Sequence, residues 1–248
     1  MEPDQFALAA TTNDLQRETQ VRKVADVVEF RMDKAKNPLS QLADYDGELP
    51  IIATNRAQWF GGKADDSGRL DHLFTASEFE AVKMVDIELE TARGSSWVLE
   101  EFEKGNVEII ISFHEFEETP DLDVLKAIFE ACGQYGDVAK VAAYANSNTD
   151  SLNMLRAVSS VSEKGLRATG ISMGAIGSHT RAVAPLYGAK IGYAPLESDE
   201  SEYAPGQIPI HKLRSMIDTL GSSDDSLFSN IEYDGDSDAR KRVIKTGK

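Results

Sequence analysis

The stretch VEIIISFHEFEETPDLDVLKAIFEACGQYGDVAKVAAYA, Val107–Ala145, decides the fold. It opens on a β-branched run, Val107–His114, and closes on a small apolar run, Val138–Ala145, with a helical pattern over Asp121–Tyr135 between them. Strand, helix, strand within so few residues is a βαβ unit. The same alternation continues in both directions. Further strands are expected at Phe6–Thr11, Val27–Asp33, Pro50–Arg56, Val85–Glu90, Arg167–Met173 and Lys190–Pro195. Helices are expected at Asp14–Ala25, His72–Lys83, Ser96–Lys104, Thr149–Ser162, Ser178–Tyr187 and Ile210–Leu220, with a weaker one at Pro38–Tyr45. Eight strands, each followed by a helix, in 248 residues is the count of a (β/α)8 TIM barrel, an α/β single domain over residues 1–220. A doubly wound open sheet usually needs fewer strands, and no Gly-x-Gly-x-x-Gly opens a first helix. Residues 221–248, rich in Ser, Asp and Gly and ending on a basic run, read as a poorly ordered tail or a packing arm.

Lys140 is the one charged side chain in Val138-Ala139-Lys140-Val141-Ala142-Ala143. Burial disfavours the charged form of an amine, the direction a Schiff-base lysine needs when it attacks a carbonyl. An edge-strand lysine reaching solvent along its stem fits the same six residues. The other strands tip the balance. Period-two alternation puts Glu29, Arg31 and Asp33 on one face of the second strand, and Asp86, Glu88 and Glu90 on one face of the fourth. Arg56 aligns with Thr54 and Ile52, and His114 with Ser112 and Ile110. Met173 and Gly174 end the seventh strand, and Arg181 follows in a Gly-rich stretch. Barrel enzymes work at the C-terminal ends of strands. Taken singly, each residue has a plain reading: a surface ion pair, a structural histidine, acids neutralising buried bases. Taken together they suit an anionic, hydroxylated substrate, with arginines for a carboxylate, acids for hydroxyls, lysine for a ketone and histidine for a proton.

Acids outnumber bases 42 to 26, giving a formal charge of −16. That balance argues against nucleic acid or an anionic membrane as partner. A dense acid coat suits a salt-adapted cytosol, and an ordinary acidic protein accounts for it nearly as well. The lone cysteine, Cys132, excludes an internal disulfide and reads as a buried structural thiol in a helix. The N-terminus lacks the pattern of a signal peptide, and no apolar run is long enough to span a membrane. A cytoplasmic protein is expected.

The segments Glu29-Phe30-Arg31-Met32-Asp33, Ile51 to Arg56 with Gly61-Gly62, Ile111 to Phe116 with Thr119-Pro120, Lys140-Val141-Ala142, Gly170 to Gly174, and Ala204-Pro205-Gly206-Gln207 occur in order along residues 6–220. This series resembles the type I 3-dehydroquinate dehydratases, the Schiff-base class of the shikimate pathway. The resemblance implies a barrel, commonly a homodimer, that dehydrates 3-dehydroquinate to 3-dehydroshikimate with no metal and no organic cofactor. It implies that Lys140 forms an imine with the C3 ketone and that His114 removes a proton at C2. It implies Arg181 and Gln207 at the carboxylate, Glu29, Arg31 and Arg56 at the ring hydroxyls, Met173 against the ring, and Tyr193 as an aromatic wall. Tyr203 stands near the carboxylate where a small hydroxyl residue is usual. Phe60 precedes Gly61-Gly62 where Glu or Gln is common. Two other readings suit the same barrel. One is a metal-dependent sugar isomerase or epimerase with Glu29, Glu88 and His114 as ligands. The other is a non-catalytic sensor of polyhydroxy acids.

Overall fold

The structure is a computed structural model that describes residues 5–103, 105, 107–197, 206–221, 231–232 and 243–244. Eight strands, β1 Ala7–Thr12, β2 Val27–Arg31, β3 Ile51–Thr54, β4 Val82–Glu88, β5 Glu108–Glu115, β6 Val138–Tyr144, β7 Ala168–Met173 and β8 Ile191–Pro195, form one parallel sheet. Their order is β7-β6-β5-β4-β3-β2-β1-β8. Parallel neighbours need a crossover. It is supplied by α1 Pro38–Ala43, α2 Arg69–Ser77, α3 Leu89–Gly94, α4 Ser96–Glu103, α5 Leu122–Cys132, α6 Asn148–Ser162, α7 Gly174–Gly177 and α8 Thr180–Val183, and α9 Ile210–Gly221 follows β8. The expected (β/α)8 barrel is the observed one.

Alternation assigns the two faces of the wall. Val28, Phe30, Ile51, Val85, Ile87, Ile111, Ala139 and Val141 point outward and pack against Leu73, Val98, Phe102, Leu125, Phe129 and Val158 of the helices. Inward-facing Ala7, Ala9, Val27, Ile52, Met84, Ile110, Val138 and Ile191 plug the N-terminal half of the barrel with apolar bulk. One layer higher the inward residues turn polar: Glu29, Thr54, Asp86, Ser112 and Lys140 are all buried. An apolar floor under a polar layer leaves the charged groups to satisfy one another, and to face the open end.

Closure between β7 and β8 differs from the other seams. One isolated bridge joins Ala168 to Ala189, and Lys190 donates its N–H to the carbonyl of Ala168 at 2.9 Å. The next rung is a side chain: Ile191 N–H donates to Thr169 Oγ1 at 2.9 Å.

Several expected boundaries are corrected. β2 stops at Arg31, and Met32–Lys34 is a 3-10 turn in which Asp33 folds back onto Arg31. β4 stops at Glu88, so Glu90 belongs to α3 and leaves the barrel face. The expected helix Asp14–Ala25 is a 3-10 turn over Leu15–Gln20. Tertiary bonds override its helical pattern: buried Glu18 accepts from Glu48 N–H and Leu49 N–H at 3.2 Å and from Arg22 Nε at 2.7 Å. The expected helix Ser178–Tyr187 divides into α8 and a 3-10 turn, Ala184–Tyr187, where Pro185 has no N–H to continue the ladder. Cys132 is buried at the end of α5, as expected, and burial pushes its thiol up to about 12. In the tail, Ile231–Glu232 and Val243–Ile244 pair antiparallel, and its other residues beyond Gly221 lie outside the described ones.

Candidate active site

Lys140 stands in the middle of β6 with Nζ inside the barrel and 3% of the residue exposed. Asp86 Oδ2 lies 2.9 Å from Nζ and Glu29 Oε1 3.4 Å from it, and the Tyr193 ring centre lies 3.8 Å below it. The solvent-reaching edge lysine is therefore not the observed one.

Arg56 follows β3 and shares Asp86 with Lys140. Its Nη2 meets Asp86 Oδ1 at 2.7 Å, its Nη1 donates to Ser112 Oγ at 2.7 Å, and Glu88 Oε1 lies 3.3 Å away. Ser112 passes its own proton to Asp86 Oδ1 at 2.7 Å. Arg69, at the start of α2, holds the other oxygen of Glu88 at 2.8 Å. Thr11 Oγ1 donates to Glu29 Oε2 at 2.7 Å. Burial alone raises a carboxyl's pKa, yet Arg56 and Lys140 hold Asp86 well below the usual carboxylate range. Burial likewise opposes the Arg56 charge, and Asp86 and Glu88 more than offset it. Arg31 is clasped at 2.8 Å by both oxygens of Asp33, which outweighs its burial and raises its pKa.

Above this layer lies a cavity of about 140 Å³. Its walls include Glu29, Arg31, Arg56, His114, Lys140, Met173, Arg181, Tyr193 and Gln207. Nine of the ten residues that sequence reasoning selected are thus brought to one chamber. The tenth, Tyr203, lies outside the described residues, as does most of the segment read as a closing lid. His114 is the penultimate residue of β5, and burial, reinforced by Arg56 and Lys140, holds its pKa well below the ordinary histidine value. Arg181, on α8, reaches across the β7–β8 seam, with Nη1 donating to the Tyr193 carbonyl at 3.3 Å and Nε to the Gly206 carbonyl at 3.2 Å. Its burial pulls the guanidinium down to about 10, so an anion in the chamber would relieve it. The Tyr193 hydroxyl is buried without a partner among the described residues, and burial pushes its pKa well up.

Thr11, Lys34 and Phe116 also line the chamber, and Arg69 anchors Glu88 behind it; none of these was selected from sequence. Phe116 carried a faint signal, two residues beyond His114 and one past the end of β5. Arg69 carried none, because it opens a helix after a loop, where strand periodicity has no reach.

A (β/α)8 barrel whose C-terminal chamber holds a sequestered amine, a neutral imidazole and converging guanidiniums belongs among the barrel enzymes that act on small anions. Comparison with known proteins narrows the class. The family model described as type I 3-dehydroquinase matches residues 7–224. A 3-dehydroquinate dehydratase of Haloarcula marismortui is 42% identical over 228 residues, covering 90% of this chain and 99% of the other. One from Halobacterium salinarum is 41% identical, covering 89% and 100%. The crystal structure of 3-dehydroquinate dehydratase from Geobacillus kaustophilus HTA426 superimposes with a TM-score of 0.79 at 26% identity, covering 88% of this chain and 92% of that one. The chain belongs to the type I 3-dehydroquinase family.

Proposed function

We propose that this protein dehydrates 3-dehydroquinate to 3-dehydroshikimate through an imine on Lys140, with His114 as the proton carrier. The observation that carries this reading is the shared chamber: a buried amine among acids, under an imidazole kept neutral, beside a buried arginine. Lys140 gives a proton to His114, its amine adds to the C3 carbonyl, and the same proton returns to the carbinolamine hydroxyl, which leaves as water and gives a protonated imine with His114 neutral again. His114 takes the C2 proton, and the C–H electron pair passes into the imine to give an enamine. The enamine then expels the C1 hydroxyl, which leaves as water with the proton from His114. A water molecule hydrolyses the conjugated imine, releasing product and the free amine. The balance is one substrate to one product and one water.

Arg181 and Gln207 hold the substrate carboxylate, Glu29, Arg31 and Arg56 grip ring hydroxyls, and Met173 and Tyr193 wall the ring. Tyr203 is assigned beside the carboxylate from sequence alone. Residues 1–220 form the catalytic unit, with the tail appended, and the protein works as a cytoplasmic homodimer. Among the described residues no helix is long and apolar enough to cross a membrane. The metal-isomerase reading loses its ligand set, because Glu88 is bound by Arg56 and Arg69 and Glu29 by Thr11 and Lys140.

Steady formation of a conjugated, ultraviolet-absorbing product from 3-dehydroquinate tests the reaction. The rate is expected to be the same with and without EDTA. No turnover would leave the sensor reading, and loss of turnover in EDTA the metal one. Arg181→Ala is expected to raise KM about ten- to hundredfold with kcat little changed, the scale of one charge-assisted hydrogen bond to the carboxylate. An unchanged KM would place the carboxylate elsewhere.

A further inference from the structure

The imidazole of His114 is held by rings. Phe60, only 8% exposed, presents itself edge-on to His114, with centroids 5.0 Å apart and planes at 83°. Phe116, 48% exposed, stacks on the imidazole at 5.8 Å and 15°, on a side adjacent to Phe60. The two phenylalanines meet each other at 84°. His114 Nδ1 is buried and has no hydrogen-bond partner among the described residues. A working imidazole usually has one ring nitrogen fixed by a carboxylate or carbonyl, which sets both tautomer and plane. Among the described residues no such group orients it, and two ring contacts restrict its plane instead. The chain prepares the contact: Gly61, at φ 78, turns the backbone after Phe60, and a Cβ there would come 2.8 Å from Phe116 Cζ. Only glycine both adopts that turn and leaves room for the second ring.

We infer that Phe60 and Phe116 form an aromatic clamp that positions the His114 ring and shields it from water. The inference rests on the role given to His114 above; the two phenylalanines act through it and are positioning residues. Aromatic pairs in edge-on and offset geometry have a preferred orientation, so the clamp fixes the ring plane without a polar partner. Being apolar, it also denies the imidazolium a solvation shell. The charged groups around the ring act in both directions. Arg56 just after β3, Lys140 on β6 and Arg31 at the end of β2 oppose its protonation, and Asp86 on β4 favours it. The Arg56 guanidinium also lies 5.7 Å from the Phe60 ring centre, so the same ring seats the nearest cation.

Imidazole titration by 1H–15N NMR on the free enzyme tests the clamp, with the His114 signal assigned by its loss in His114→Gln. In Phe60→Gln, where an amide can reach Nδ1 and bring water with it, the midpoint is expected to rise by about one pH unit toward the ordinary histidine value. The acid limb of kcat/KM should rise with it. In Phe60→Leu, apolar but ringless, the midpoint should stay near wild type while kcat falls several-fold at constant KM. Phe60→Tyr, which keeps the ring, should restore kcat. Should a Phe60 variant not fold, Phe116→Ala, at a half-exposed position, is read the same way and is expected to raise the midpoint. Wild-type titration and kcat in Phe60→Gln would overturn the clamp, and so would an equal loss of kcat in Phe60→Tyr and Phe60→Leu. The NMR arm uses no substrate, so absent turnover in the wild type would count against the assigned reaction and not against the clamp.

Discussion

Lys140→Ala is expected to lower kcat on the order of a millionfold, the scale on which a covalent catalyst loses its rate with its nucleophile. The reason is position: Lys34, the other amine that lines the chamber, comes from the turn after β2 and not from the buried layer in which Lys140 Nζ meets Asp86 and Glu29. Arg56 and Arg181 are cations with no accessible lone pair, and His114 has the wrong job: it must stay free to carry the C2 proton. Borohydride added with 3-dehydroquinate should reduce the imine and leave a stable mass adduct on Lys140 in the wild type. The adduct should be absent from Lys140→Ala and form slowly in His114→Ala, which retains the amine but not the base. A wild-type protein that turns over substrate yet never traps an adduct would rule out the imine. An adduct on a different lysine would move the site.

The second large effect is on stability. Asp86→Asn is expected to destabilise the fold by about 3–5 kcal/mol, because it strands two buried cations that share one carboxylate. Against an ordinary domain stability of about 5–15 kcal/mol that is a large fraction. The melting temperature should fall by on the order of 10 °C. A midpoint within a degree or two of wild type would show that Glu29 and Glu88 take over the pairing. The pH dependence has a defined sign. Arg56 and Lys140 hold the folded-state carboxyl below its unfolded value despite burial. Its contribution is therefore complete above the ordinary aspartate range and is lost only on strong acidification, as the pH falls toward the folded pKa.

Much of this site could be read in one dimension, for a geometric reason. A barrel strand alternates strictly, so a charged residue at every second position of an otherwise apolar run declares which way it points. That logic put Glu29 and Arg31 on one face of β2 and Asp86 and Glu88 on one face of β4; Lys140, a lone charge, suited a solvent-reaching edge as well, and its burial in the barrel comes from the fold. Periodicity failed where strands end. Asp33 and Glu90 continued the alternation on paper, but the backbone had already turned into a 3-10 turn and a helix. It also had no hold on partners supplied by loops and helix starts. Arg69 is buried against Glu88 although nothing around it is periodic. Roles drawn from family likeness reached further, to Gln207 and Met173, which line the chamber.

The join between β7 and β8 has one mechanical consequence. The other seams are stitched by main-chain ladders of four or more residue pairs, but here a bridge, a threonine hydroxyl and the Arg181 guanidinium do the fastening. When the cylinder opens locally, it parts first along this line, because fewer amides must be broken there than at any neighbouring strand pair. A small acid lodged against Arg181 would then act as a hoop, stiffening the barrel where it is least well sewn.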